Sequence, residues 1–223
     1  MIKQVMILVE GQTEEAFVNR VLQPYLNEKG IYLSTTMVCT KKVKGVRRHR
    51  GGIGDYNQVK RDLAALLKSS HFNLITTFLD YYGLPSNFPG QSTLPNGDCY
   101  AKVAHLEKEL KQDIGSTNFY PFVMLHEFET MIFCDIYSLS DFFSDKIRRL
   151  DRLNNIFNEY KNPELINNSR ETAPSKRILA ELENYEKPLH GPIAIKNIGI
   201  DKIRKLCPHF NEWLNYIESF QVS

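Results

Sequence analysis

The chain is expected to fold as an α/β protein on a mostly parallel sheet of about four strands, with helices on both faces and a helical C-terminal part. Three observations lead there. Apolar, β-branched runs alternate with stretches whose apolar residues recur at helical spacing. The apolar runs are nearly continuous, as in strands covered on both faces. The 223 residues are 42% hydrophobic and 24% charged, ordinary for a globular chain with a substantial core. Right-handed crossovers between successive strands then place helices on both faces.

Residues 2–9 read as the first strand. Thr13 is expected to cap the following helix, with Glu14 and Glu15 in its first turn, where the helix dipole favours acids. Phe17, Val18, Val21, Leu22, Tyr25 and Leu26 make the apolar stripe, and Lys29-Gly30 ends the helix. Residues 31–40 form a second strand. A helix over 55–67 buries Val59, Leu63, Leu66 and Leu67. Strands over 72–79 and 119–125 flank a helix over 101–110. From Phe128 the pattern turns helical and polar, with a loop over 162–174. The expected organisation is an α/β domain at 1–137 and a helical extension at 138–223 packed on it.

The net charge of +2 says little about partners, so any nucleic-acid surface must come from local clustering. Cys39, Cys99, Cys134 and Cys207 are scattered without a CxxC pair, which argues against a structural zinc site or a disulfide framework. The first apolar run is interrupted by Glu10 and is too short for a signal-peptide core, and no stretch approaches the roughly 18 apolar residues of a membrane span. The expectation is a soluble, cytoplasmic protein with no membrane partner.

Three strands end on acids. The first runs into Glu10, "NLITTFLD" ends at Asp80, and "FYPFVML" runs into "HEFE" with His126, Glu127 and Glu129. Parallel strands put these ends along one edge, where open α/β sheets bind ligands. Gathered carboxylates repel one another, and a divalent cation relieves that repulsion. Oxygen-only ligands suit magnesium, manganese or calcium, and magnesium commonly bridges to substrate phosphate. Taken singly, Glu10 reads as a solvated strand-end acid, Asp80 as a turn residue and Glu127 or Glu129 as a helix cap. Their coincidence favours a site.

At these residues the chain resembles an uncharacterised bacterial domain-of-unknown-function family of the TOPRIM-like group, related to TOPRIM nucleases of the overcoming-lysogenisation-defect type. "VEGQTE", "LDYYGLP", "HEFET", "ETAPSKR" and "IRKLCPHFNEWL" carry the resemblance across most of the chain. It implies a nuclease or related phosphotransfer enzyme using Mg2+ or Mn2+ on DNA or RNA. Glu10 then matches the first-strand glutamate, a metal ligand or general acid/base. Glu14 matches the second acid of the nuclease branch, and Asp80 the first acid of "DxD". Tyr82 stands where the second aspartate is expected, with Glu127 or Glu129 as substitutes, and Lys176 is the candidate for the late basic catalytic residue. A TOPRIM-like module that binds nucleic acid, or a partner protein of the same functional system, without catalysis is the alternative.

Lys42, Lys44, Arg47, Arg48 and Arg50 lie in a dense basic segment that reads either as a phosphate-contact loop, giving salt-sensitive nucleic-acid binding, or as a solvated charged loop. Tyr81, Tyr82 and Phe88 could stack on bases or simply pack under a loop. His126 reads as an acid/base beside Glu127 or, more blandly, as a satisfied and partly buried histidine. No GxSxG signature points to acyl transfer.

Overall fold

The computed structural model describes residues 2–39, 41–43, 46–48, 53–167 and 169–221, with the backbone alone for 41–43 and 46–48. Strand β1 (Lys3–Val9) is buried from Val5 onward and sits in the middle of the sheet. Its two neighbours, β2 (Ile31–Met37) and β5 (Leu74–Asp80), both pair with it in parallel. Strands β6 (Phe119–Tyr120) and β7 (Val123–Met124) both pair in parallel with β5. The spatial order is β2-β1-β5-β6, with β7 also on β5, five strands in all. The chain leaves β1 toward β2 and then returns to the other side of β1, so the strand order reverses between β1 and β5. That reversal opens a crevice at the carboxyl ends of these two strands.

Alternation along the strands divides the core. Val5, Ile7, Val9, Leu74 and Phe78 face one side, and Met6, Leu8, Ile75 and Leu79 the other. On the second side lie α3 (Tyr56–Leu66), through Val59 and Leu63, and α4 (Cys99–Ile114), through Val103, Leu106 and Leu110. On the first side, α1 (Gln12–Phe17) runs through a π-helical stretch (Val18–Leu22) into α2 (Gln23–Asn27). Pro24 lacks the N–H that a continuous α-helix needs there, and the widened turn accommodates it. Gly30 follows at φ 72°, a left-handed conformation that glycine adopts without a Cβ clash.

The first side also receives α5 (Ile147–Tyr160), α6 (Pro174–Glu181), α7 (Lys187–Ile198), α8 (Ile200–Leu206) and α9 (Pro208–Ser219), which share one apolar cluster with β1, β5 and α1. Trp213 of α9 stacks on Phe122 at 4.5 Å between centroids, and its indole N–H donates to the buried Thr76 hydroxyl at 2.9 Å. No described helix is long and apolar enough to cross a membrane.

The structure departs locally from the expectations. The single strand expected over 119–125 is two short strands, because Pro121 has no N–H for the ladder. Thr77 fills the gap by accepting from the Phe122 N–H and donating to the Phe122 carbonyl, each at 2.8 Å. Thr13 does not cap α1: Gly11 holds the N-cap position in extended conformation, and Thr13 is buried inside the helix. The basic segment is not simply a loop. It contains an antiparallel hairpin of β3 (Lys41–Val43) and β4 (Val46–Arg48), which leaves the sheet beyond the carboxyl end of β2. Residues 128–139 are two 3-10 turns, not a regular helix.

Candidate functional site

The crevice between β1 and β5 is acidic. Glu10 follows β1 directly, and its Oε2 accepts the Asp80 N–H at 3.2 Å, tying the two strand ends together. Gly83 makes room for this, since a methyl group there would overlap the Glu10 carboxylate. Glu14, in the first turn of α1, is 3% exposed despite its charge. Asp80 ends β5 and is also buried, and Glu129, in the 3-10 turn after β7, is fully buried.

The ammonium of Lys187 stands among these acids. Its Nζ lies 3.1 Å from Asp80 Oδ2, 3.0 Å from Glu129 Oε2 and 3.8 Å from Glu14 Oε1. The Glu129 pair is an ion pair by distance but is not aligned as a hydrogen bond, and both Glu129 oxygens, with Asp80 Oδ1, lack a hydrogen-bond partner among the described residues. Lys187 is the first residue of α7, and Pro188 behind it favours a helix start there. A lysine in a first helical turn opposes the helix dipole, so the carboxylates are what hold it in place.

One cation does not balance four acids at this spacing. Burial, then the charges of Asp80 and Glu14, push the Glu10 carboxyl up to about 8. Burial followed by Asp80 pushes Glu14 up to about 7. Burial raises Glu129 to about 7 against the pull of Lys187, and raises Asp80 in the same sense. The cluster therefore keeps protons near neutral pH that ordinary carboxyls would have lost. Perturbed acids at the switch point of a parallel sheet are a mark of a functional site.

The sequence candidates separate. Glu10, Glu14, Asp80 and Glu129 come together. Glu127 lies beside them but accepts the Ser175 N–H at 3.0 Å, serving the first turn of α6. Lys176, the expected basic catalytic residue, is exposed on α6, and the ammonium among the acids is that of Lys187. Lysine at the start of "KPLHGP", against the dipole, was the available signal for Lys187. Lys42, Arg47 and Arg48 lie on the β3–β4 hairpin, while Lys44 and Arg50 lie outside the described residues.

Tyr82, at the position where the resemblance leads one to expect an aspartate, is committed elsewhere. Its hydroxyl meets Asn167 Nδ2, its N–H donates to the His126 carbonyl at 3.1 Å, and its carbonyl accepts from Arg170. His126 is buried at φ 66°, with Nε2 2.9 Å from the Glu164 carbonyl and Nδ1 3.2 Å from Asn167 Nδ2. These contacts suit a neutral ring, and burial lowers its pKa. His126 is the satisfied histidine.

A profile of the family described as Domain of unknown function (DUF4276) matches residues 9–218. The chain belongs to this family. The match takes in every member of the acidic cluster and Lys187. No curated protein and no solved structure matches the chain.

The residues present fit a hard divalent cation in donor type, all carboxylate oxygens, and in the buried oxygens left without partners. Their spacing is set around an ammonium instead. Among the described residues, no three or more His, Cys, Asp or Glu side chains form a ready-made metal-ligand group.

Proposed function

We propose that this protein is a Mg2+- or Mn2+-dependent nuclease of the TOPRIM-like kind, cleaving phosphodiester bonds in nucleic acid. One observation carries the reading: Glu10, Glu14, Asp80 and Glu129, from separate elements, converge at the β1–β5 crevice around the ammonium of Lys187, the one cation paired with them among the described residues. Glu10, Asp80 and Glu129 would hold the cation, with Glu14 and Glu127 behind them. Bound there, a divalent cation supplies Lewis-acid polarisation of the phosphate and lowers the pKa of an attacking water.

The chain's own groups do the remainder. Glu10, raised to about 8 while no cation is bound, would give up its proton as the cation binds, so that binding weakens as pH falls. Lys187, one third exposed, offers its ammonium to a phosphate oxygen that displaces it from Asp80. Gly83 and the Asp80 N–H hold the Glu10 carboxylate in place. The basic hairpin, including Lys42, Arg47 and Arg48, leaves from the same edge and would contact the backbone of DNA or RNA.

The test is cleavage of single- and double-stranded DNA and RNA with magnesium or manganese, with Glu10→Gln and Asp80→Asn as controls. Loss of activity in both variants is expected. Equal activity in all three proteins, or none on any substrate, overturns the reading.

A second reading has its own support. Tyr82 replaces an expected acid and is bonded to Asn167, and Lys187 already pairs with three carboxylates. Such a site suits a module that binds nucleic acid or a partner protein without turnover. Calorimetric titration with manganese decides: heat in the wild type that Glu10→Gln removes favours the enzyme, and no heat favours the module.

A further inference from the structure

Directly beyond Asp80 the chain turns through Tyr81–Gly83 and opens a second concavity. A pocket of ≈ 230 Å³ is lined by Tyr81, Tyr82, Leu84, Ser86, Gln91 and Arg170. Its wall is prearranged. Tyr81 stacks on Tyr82, with centroids 5.4 Å apart and planes 30° from parallel. Arg170 lies 5.6 Å from the Tyr82 centroid and also bonds the Tyr82 carbonyl, so the guanidinium is held while its side chain stays exposed. Tyr82 is further fixed by Asn167 and by the His126 ring at 5.7 Å. Gln91 Oε1 has no hydrogen-bond partner among the described residues.

We propose that this pocket receives one unstacked base of a single-stranded nucleic acid, with an adjoining phosphate on Arg170. Aromatic rings bind bases of any sequence through their π-faces. An amide such as that of Gln91 carries both a donor and an acceptor for a base edge. Arginine suits a phosphodiester because its planar fork is always charged. The volume holds a single base. A duplex keeps its bases stacked and can enter only by flipping one out. The inference rests on the nuclease reading and narrows its substrate class to single strands, since the pocket is joined to the acidic cluster through the Asp80–Tyr81 peptide.

The test is fluorescence anisotropy with labelled ten-nucleotide DNA and RNA single strands and the matching duplexes, once with a chelator and once with calcium. Single strands are expected to bind more tightly than duplexes. Tyr81→Leu, which keeps bulk but loses the ring, is expected to weaken single-strand binding about 5- to 100-fold. Tyr81→Phe keeps it, and Arg170→Gln, at an exposed residue, lowers the salt slope by about one. The DNA and RNA arms show which sugar is accepted. Equal binding by Tyr81→Leu and wild type, a preference for duplex, or no binding in either buffer overturns the proposal. Cleavage that is insensitive to Tyr81 removes this subsite and leaves the nuclease reading standing. Tyr81-dependent binding without cleavage under any metal does the reverse.

Discussion

Two of the buried carboxylate sites among the described residues are built on opposite principles. Glu164 is fully buried, and every demand of its carboxylate is met: the Tyr100 hydroxyl donates to Oε2 at 2.8 Å, and the first-turn N–H groups of His209 and Phe210 in α9 donate at 3.0 Å. It supplies from a distant loop the cap that α9 lacks in its own sequence. At the β1–β5 crevice, by contrast, Asp80 and Glu129 keep buried oxygens without hydrogen-bond partners among the described residues, and three acids share one lysine with Glu10 close beside them. A buried acid with donors on every side is architecture. A buried acid left short of donors is held at a cost in stability, and such sites are where function is to be sought.

The largest effect expected from breaking this contrast is on activity. Asp80→Asn or Glu10→Gln should reduce metal-dependent cleavage by about 10²–10³-fold, read in a nuclease assay, while the thermal midpoint holds or rises because a strained buried charge is gone. A midpoint that falls together with activity would make the crevice architectural after all. Glu164→Ala should act in the opposite way, lowering stability by about 2–4 kcal/mol in urea unfolding, because two α9 N–H groups and the Tyr100 hydroxyl lose their acceptor. Gly83→Ala should cost about 1–3 kcal/mol and shift Glu10 as well, so activity and stability fall together.

The pH dependence follows from the raised carboxyls. Glu10 at about 8 and Glu14 and Glu129 at about 7 stand above the ordinary value of 4.5. The folded protein therefore holds protons that the unfolded chain releases. Their stabilisation is full below about pH 4.5 and is lost as pH rises toward about 8. Lys187, raised above its ordinary value, changes nothing in this window. The metal-free protein should lose several kcal/mol between about pH 5.5 and 8, at about 1.4 kcal/mol for each pH unit over which a carboxyl keeps a proton that the unfolded chain has released, measured by thermal melts, and Glu10→Gln should flatten the slope. Manganese should restore the most at the alkaline end. Smallest of all, Lys176→Ala should alter stability by less than about 0.5 kcal/mol and leave cleavage unchanged, whereas Lys187→Met should lower both.

Much of the fold was legible because burial on both faces leaves runs that are apolar throughout, as in residues 5–9, or broken only by threonines, as in 74–79. The interruption at Pro121 was legible in principle, since proline cannot join a ladder, but its repair by the Thr77 hydroxyl was not. Three acids at strand ends were visible in the chain. Glu127 and Glu129 could not be told apart, because which of two alternate residues faces the crevice depends on the turn after β7. Lys187 was missed because nothing near it in sequence shares its chemistry, and its partners come from α1, β5 and the turn holding Glu129.

By itself the sequence determined what is local and periodic: parallel strands buried on both faces, amphipathic helices between them, and acids placed where strands end. The tertiary structure decided which of those acids meet, which is capped by a helix, and which lysine stands among them. The physical reason is that charge interactions act across a few ångströms of space regardless of distance along the chain, and only the packing of α7 against α1 brings Lys187 within that reach.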